Sequence, residues 1–435
     1  MPDTLPPALA ADLIQFHALT AFPPHNVNRD EDGRPKTCLL GGVLRGRISS
    51  QAKKRALRFA PHFPHTQRAT RTRRAGLLSY RHLADAGVAD LPAVWAALTV
   101  NYATGGTSTP PKKEDAEKLL GGGKKPKKGK AAADAEAPGT AEAEAAPLTR
   151  ADIERALRTE QGLVISTREF TRIREAMAAL AEAWHQSPAT FDTVLADWVK
   201  GVCKDKLLTQ ADHDLDTALF GRMVATAPDF NVEAACAVGH AFTTHAFVTE
   251  GDYFSAGEEL NERGDTGAAI TSYAFFGGGV YYQHAVLDRG HLRETLSEGR
   301  SADEAERLTA EAVDAFLTGL LFAQPKGKRN SHASDVAASY VLVTRGGDPA
   351  MNLGLAFLDP VTRTEKEDVM QASIKRLTQF HTAARGSYDL SNAVCAFNAY
   401  PGARAGNAPA AGEVWTVEEL RRFVHQGPDA GGPGA

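Results

Sequence analysis

The chain has 435 residues, 43% of them hydrophobic, and a formal net charge of −4. That length allows one large or two to three ordinary domains with a sizeable core. The four cysteines, Cys38, Cys203, Cys236 and Cys395, form no C-x-x-C pair, which argues against a zinc site and a disulfide framework. No long apolar run occurs and residues 1–12 lack a basic leader, so no membrane span and no signal peptide are expected, and reduced thiols in the cytoplasm are the default.

In chain order, residues 1–11 form a Pro/Ala arm. Leu13 to Thr20 predicts a strand, with Ile14, Phe16 and Ala18 on one face and Gln15, His17 and Leu19 on the other. Pro23-Pro24 is expected to end it. A basic block follows. Between Asp32 and Asp85 there is no Asp or Glu, yet residues 33–84 hold 13 Lys or Arg, Lys36, Arg45 and Arg47 among them. The remainder of the chain carries 36 basic and 53 acidic residues, so one cationic patch sits on an acidic body. A solvated surface mixes its signs, and an unneutralised block of this length implies an anionic partner.

Within the block, Ser49-Ser50 predicts a helix start, since a serine oxygen accepts from a first-turn amide. Ala52, Ala56, Phe59 and Ala60 make a stripe suited to the core. Gln51, Lys54, Arg55 and Arg58 fall on another side. A helix N-terminus with free amides, flanked by Arg47 and followed by a basic face, suits phosphate.

Leu77 to Tyr102 has a helical pattern. Residues 104–150 shift to Gly, Pro, Ala, Lys and Glu, too little apolar content to offset ordering entropy, and are expected to be disordered. Gly123-Lys124 is not a P-loop, because Lys118 stands at the first glycine position and Lys125 at the Ser/Thr position. No metal motif and no cofactor motif stands out. Residues 151–214 form a mostly helical insertion, with Phe170, Ile173, Met177, Leu180 and Trp184 facing inward. Residues 215–426 bring further strands and helices. Residues 249–267 are acidic, and Tyr273 to Tyr282 is an aromatic stretch broken by Gly277-Gly278-Gly279, a turn or a bulge. Ser301 and Glu304 make a capping box, followed by Leu308, Ala312, Phe316 and Leu320 on one helix face. Lys326, Lys328 and Arg329 form a basic loop before a strand over Val336–Val343. Residues 364–385 and 417–423 are helical, and 427–435 is a tail. The order strand, helix, helical insert, strands, helix, strand, helix is α+β.

Four separated blocks then match a known family. They are Phe16-His17-Ala18-Leu19-Thr20 through Arg47-Ile48-Ser49-Ser50-Gln51, Ala218-Leu219-Phe220-Gly221-Arg222-Met223, His240 to His245, and Phe276 to Tyr282. The chain resembles the CasC family, the backbone subunit of type I-E CRISPR Cascade in the RAMP superfamily. The resemblance implies an RRM-like (ferredoxin-like) palm beginning at 12–103, a helical insertion and a β-hairpin thumb, placed at 249–285. It implies a non-catalytic protein whose copies line up head to tail along one CRISPR RNA. The other Cascade subunits, and the target DNA strand through the guide, are the remaining partners. The family's RNA contacts map onto Arg29, Lys36, Arg47, Ser49, Gln51, Lys54, Arg55 and Arg58, and Arg45 in the same block is a further candidate RNA contact. Arg222 and Met223 would lie near a displaced base. Sequence is read by base pairing, so the protein need only grip backbone. Met223 could wedge against an unstacked base or be a core methionine. Tyr281 and Tyr282 could stack on bases or pack in the core. The acidic segment 250–265 could dock on a neighbour's basic surface and so build a filament.

Two rivals remain. One is an RNA-processing nuclease on a related fold, with His17 as its candidate base. The other is a general single-strand binder without a guide.

Overall fold

The protein was analysed as a computed structural model. It describes residues 12–121, 148–259, 268–404, 410 and 412–426. The strands are β1 (Leu13–His25), β2 (Thr37–Leu40), β3 (Val43–Ile48), β4 (Thr70–Thr72), β5 (Leu163–Ile165), β6 (Cys236–Val238), β7 (Ala241–Thr243), β8 (Glu250–Gly257), β9 (Ala268–Asp288), β10 (Tyr340–Gly346), β11 (Ala393–Asn398) and β12 (Glu413–Val414). The helices are α1 (Ser50–Arg58), α2 (Ala75–Asp85), α3 (Asp90–Ala103), α4 (Lys113–Leu120), α5 (Arg150–Ala156), α6 (Thr167–Gln186), α7 (Phe191–Asp205), α8 (Leu215–Phe220), α9 (Arg289–Ser297), α10 (Ala302–Phe322), α11 (Arg329–His332), α12 (Val369–Ser387) and α13 (Val417–Gln426).

The chain divides into two units, one of residues 1–65, 218–220 and 234–435, the other of 66–217 and 221–233. The first is built on a sheet of order β12-β11-β10-β1-β9-β7-β3-β2, with β6 and β8 also paired to β9. The α+β expectation holds, with palm, helical insertion and hairpin thumb. β1 lies between β10 and β9, antiparallel to both. Ile14 to Thr20 are all buried, because each face of this strand is covered. Phe16 meets Phe316 of α10 with ring centroids 5.8 Å apart. Leu19, on the other face, packs in a cluster with Tyr282, Phe357 and Leu377. Pro23-Pro24 does not end β1. The strand runs on to His25 with a shift of register between Phe22 and His25, since a bulge accommodates residues without a ladder donor.

The three glycines of β9 form no turn. Gly277 pairs with His25 and Gly279 with Phe22, so β9 passes straight from the thumb into the palm sheet. A Cβ on Gly277 would stand 2.3 Å from the Phe247 ring, so that ring fills the space a side chain would need. The thumb proper is therefore β8 with the first part of β9, from Glu250↔Phe276 to Gly257↔Ala268, and the second half of the expected 249–285 span belongs to the central sheet. Every residue of β8 is exposed. Residues 260–265, part of the expected acidic docking segment, lie outside the described residues, as do 1–11 and 427–435.

α10 begins where expected: the Ser301 hydroxyl accepts from the Glu304 N–H at 3.3 Å. Its Leu308, Ala312, Phe316 and Leu320 are buried. It meets α1 closely, since a Cβ on Gly319 would be 2.4 Å from Leu57.

The second unit is helical, with the small β4–β5 ladder. Its core gathers Leu77, Val94, Leu157, Ile165, Ile173, Met177 and Leu180. Buried Asn101 joins three helical segments, accepting from Gly76 N–H at 3.0 Å and donating to Leu157 O at 2.9 Å. The disorder expected from 104 does not hold for 104–121. Residues 113–120 form α4, capped by the Asp115 carboxylate on Lys112 N–H at 2.9 Å, with Ala116 fully buried. Three apolar positions, Ala116, Leu119 and Leu120, sufficed to anchor a short helix inside a polar composition. Residues 122–147 lie outside the described residues.

Candidate nucleic-acid interface

The basic block is shaped by backbone hydrogen bonds. Lys36 N–H donates to Asn28 O at 2.9 Å, and Arg47 N–H to Lys36 O at 2.7 Å. Gly33, with φ +81°, makes the turn between Arg29 and Pro35, which bridge. Asn28 Oδ1 accepts from Ser49 N–H at 2.8 Å and ties this loop to the start of α1. Arg29 and Lys36 in the loop and Arg47 on β3 are thus linked to one another and to the start of α1.

Two of the amides at that terminus are taken by side chains. Ser49 caps it, its hydroxyl accepting from Ala52 N–H at 3.3 Å. Ser50 N–H donates to Nδ1 of exposed His240 at 2.9 Å. This hydrogen bond places the imidazole proton on Nε2. Burial first, then the charges of Arg47 and Lys36, hold the His240 pKa below its ordinary value. His240 is therefore a neutral donor in the middle of the cations. Its place in a matching block was legible in the sequence, but its partner was not.

The expected stripe is inward in part, with Ala60 buried and Ala52 packed on the core, but the most buried positions of α1 are others. Lys53, Leu57 and Arg58 are buried, while Phe59 is 44% exposed. Gln51 and Arg55 are exposed and Lys54 is half-buried, so these three remain at the surface as expected. Among the described residues, Arg29, Lys36, Arg47, Lys54 and Arg55 form no ion pair with a carboxylate. Arg47 keeps one contact, Nε to Thr37 O at 3.3 Å.

Three of the cations expected at the RNA, Arg45, Arg58 and Arg222, lie buried. Arg45 is wholly inside: Nη1 donates to Thr243 O at 3.2 Å, and Nη2 to Phe357 O at 2.9 Å and Leu358 O at 3.3 Å. It staples β3 to β7 and to the 353–357 turn. Arg58 is 4% exposed, its guanidinium 5.6 Å from the Phe59 ring centre. Arg222, in the helical unit, is 3% exposed and pairs with fully buried Glu169 at 2.8 Å, donating also to Thr209 O and Phe230 O. Glu169 is itself satisfied by Ser166 N–H and Thr209 N–H, both at 2.7 Å. Buried guanidinium groups find carbonyls and carboxylates because an unpaired one costs too much. Ser49 is likewise buried, as a cap.

Met223 is 79% exposed, so it is no core methionine. Tyr281 and Tyr282 are core residues at 2% and 0% exposure, with hydroxyls on His25 Nε2 at 3.1 Å and His17 Nδ1 at 3.0 Å. His17 is buried, stacked on His284 with ring centres 4.7 Å apart, and burial drives its pKa well down. Beside α1 lies a groove whose far wall is the end of α10 and the loop carrying Lys326 and Arg329. The basic loop, visible in the sequence, joins Arg55 there although 271 residues separate Arg55 from Lys326.

Fold and surface together define a palm-and-thumb α+β protein with a cationic strip free of carboxylate partners. Residues 14–422 match the model of a Cas family described as CT1975-like protein, and the chain belongs to that family. No curated protein matches it. A solved chain described as "CRISPR RNA-guided surveillance complex, pre-nicking" is similar, with a TM-score of 0.69 and 21% identity over 95% of this chain and 99% of that one. A second, described as "CRISPR RNA-guided surveillance complex", has a TM-score of 0.52 and 17% identity over 95% and 98%. These likenesses extend over the whole fold. No helix among the described residues is long and apolar enough to cross a membrane, and none of their side-chain clusters could hold a metal ion.

Proposed function

We propose that this chain is the non-catalytic backbone subunit of a type I-E Cascade complex, binding CRISPR RNA in the cytoplasm as copies arranged head to tail along one guide. Target DNA would be engaged through the guide, and other subunits would cap the array. The supporting observation is the strip Arg29, Lys36, Arg47, Lys54 and Arg55, none of them ion-paired among the described residues. Cations held without counter-charges on a shaped surface suit a polyanion, and backbone-directed Lys and Arg suit a protein that leaves sequence to base pairing. The family match and the surveillance-complex likenesses support the same assignment.

Absence of catalysis is part of the proposal. His17, the one candidate base, is buried against Tyr282 and His284, and the cavity it lines, about 20 Å³, is too small to admit a nucleotide. The test is purification of the chain from cells carrying its own CRISPR array. Co-purified RNA of one uniform length supports the backbone role, and a smear of lengths supports the general binder. Cleavage of repeat RNA that is lost in His17→Ala would overturn the non-catalytic assignment.

A further inference from the structure

The groove between α1 and the end of α10 has a volume of about 730 Å³. Ala52, Ala56 and Phe59 line one side, and Phe322, with 51% of its surface exposed, lies on the other. Arg55 and Lys326 stand at its rim without carboxylate partners among the described residues, whereas Arg329 is paired with Asp335 at 2.7 Å. Gln324 lines it and is only 8% exposed. Its Oε1 accepts from Lys53 Nζ at 2.7 Å. An ammonium only donates, so this contact fixes the amide with Nε2 turned away from Lys53. That Nε2 has no hydrogen-bond partner. An apolar wall and two unneutralised cations form a set that fits a nucleotide.

We propose that this groove seats one nucleotide of the bound RNA, with its base against the Phe322 ring and its phosphate beside Arg55 and Lys326. The proposal rests on the RNA-binding role above and adds a base contact to it.

The test uses the full-length chain, a 12-nucleotide single-stranded RNA and the same strand with its bases removed, followed by fluorescence anisotropy across a salt series. Phe322→Ala is expected to weaken the base-bearing strand about five- to 160-fold, the size of one stacking contact. It should leave the salt slope and the abasic strand unchanged. Equal losses on both strands, or none, would overturn the seat. So would a photo-crosslinker placed at position 322 that reaches a second copy of the chain instead of RNA. A wild-type chain that binds neither strand overturns the RNA-binding role itself, whereas wild-type binding with a silent Phe322→Ala overturns the seat alone.

Discussion

Lys54 and Arg222 are both cations, yet their surroundings give them opposite roles. Lys54 is half-buried beside the strip and unpaired among the described residues. Lys54→Ala should weaken every RNA sequence alike and lower the salt slope by about one unit. A sequence-selective loss, read by anisotropy on two unrelated strands, would contradict backbone gripping. Arg222 is locked to Glu169 with both side chains almost wholly buried. Arg222→Met leaves Glu169 charged and unpaired, at a cost of about 3–5 kcal/mol in urea unfolding. RNA affinity of the remaining folded protein should stay at the wild-type level. Lys53 supplies a pH signature. Its folded pKa of about 7 lies below the unfolded value of 10.5, so between those values the unfolded state binds more protons. Stability should therefore rise with pH across that window, and the full burial cost is present below it. Thermal melts between pH 7 and 9 should show the rise in wild type and a flat profile in Lys53→Met.

At the scale of elements, the thumb contrasts with the strand that carries it. β9 is buried where it pairs with β1, and β8 is exposed throughout. An isolated two-stranded hairpin is marginal in water. Its faces differ: Tyr253 and Tyr273 oppose each other on one, 5.2 Å apart, and Glu250, Asp252 and Phe254 occupy the other. Replacing residues 252–273 by a short Gly-Ser turn removes little from the palm core. The urea midpoint should move by no more than about 0.5 kcal/mol equivalent, as for changes away from buried features. A large destabilisation would show that the hairpin supports the palm, contrary to its exposure. α1 teaches a related lesson. Its inward positions 53, 57 and 58 were hidden because two of the three are cations, and a hydrophobic stripe search passes over a lysine whose burial is answered by one glutamine far along the chain.

For the whole molecule, charge is the governing asymmetry. Residues 33–84 are free of carboxylates, and the rest is acidic. A chain with a cationic strip and an acidic hairpin has two different surfaces that can meet between copies, a heterologous contact that extends instead of closing. Reversing Glu250 and Asp252 together to lysine should reduce the number of copies loaded on a long guide, measured by native mass spectrometry, while single-copy RNA binding persists. An unchanged array would remove the hairpin's acidic face from the assembly contact.

Local order and composition were legible in the residues themselves. The α+β succession, the Ser49 and Ser301 caps, the basic block and the helical insertion depend on neighbours in sequence, where periodicity and capping chemistry act. Which cations reach solvent was decided elsewhere. Arg45 is drawn inside by carbonyls of Thr243, Phe357 and Leu358, and Arg222 by Glu169, partners 53 to 313 residues away. Gly277 reads as a turn or a bulge, and only the fold shows the register shift beside it and the Phe247 ring filling the adjacent space. A side chain's charge is a property of its residue, but its desolvation and its partners belong to the packed fold, and those separate a staple from a grip.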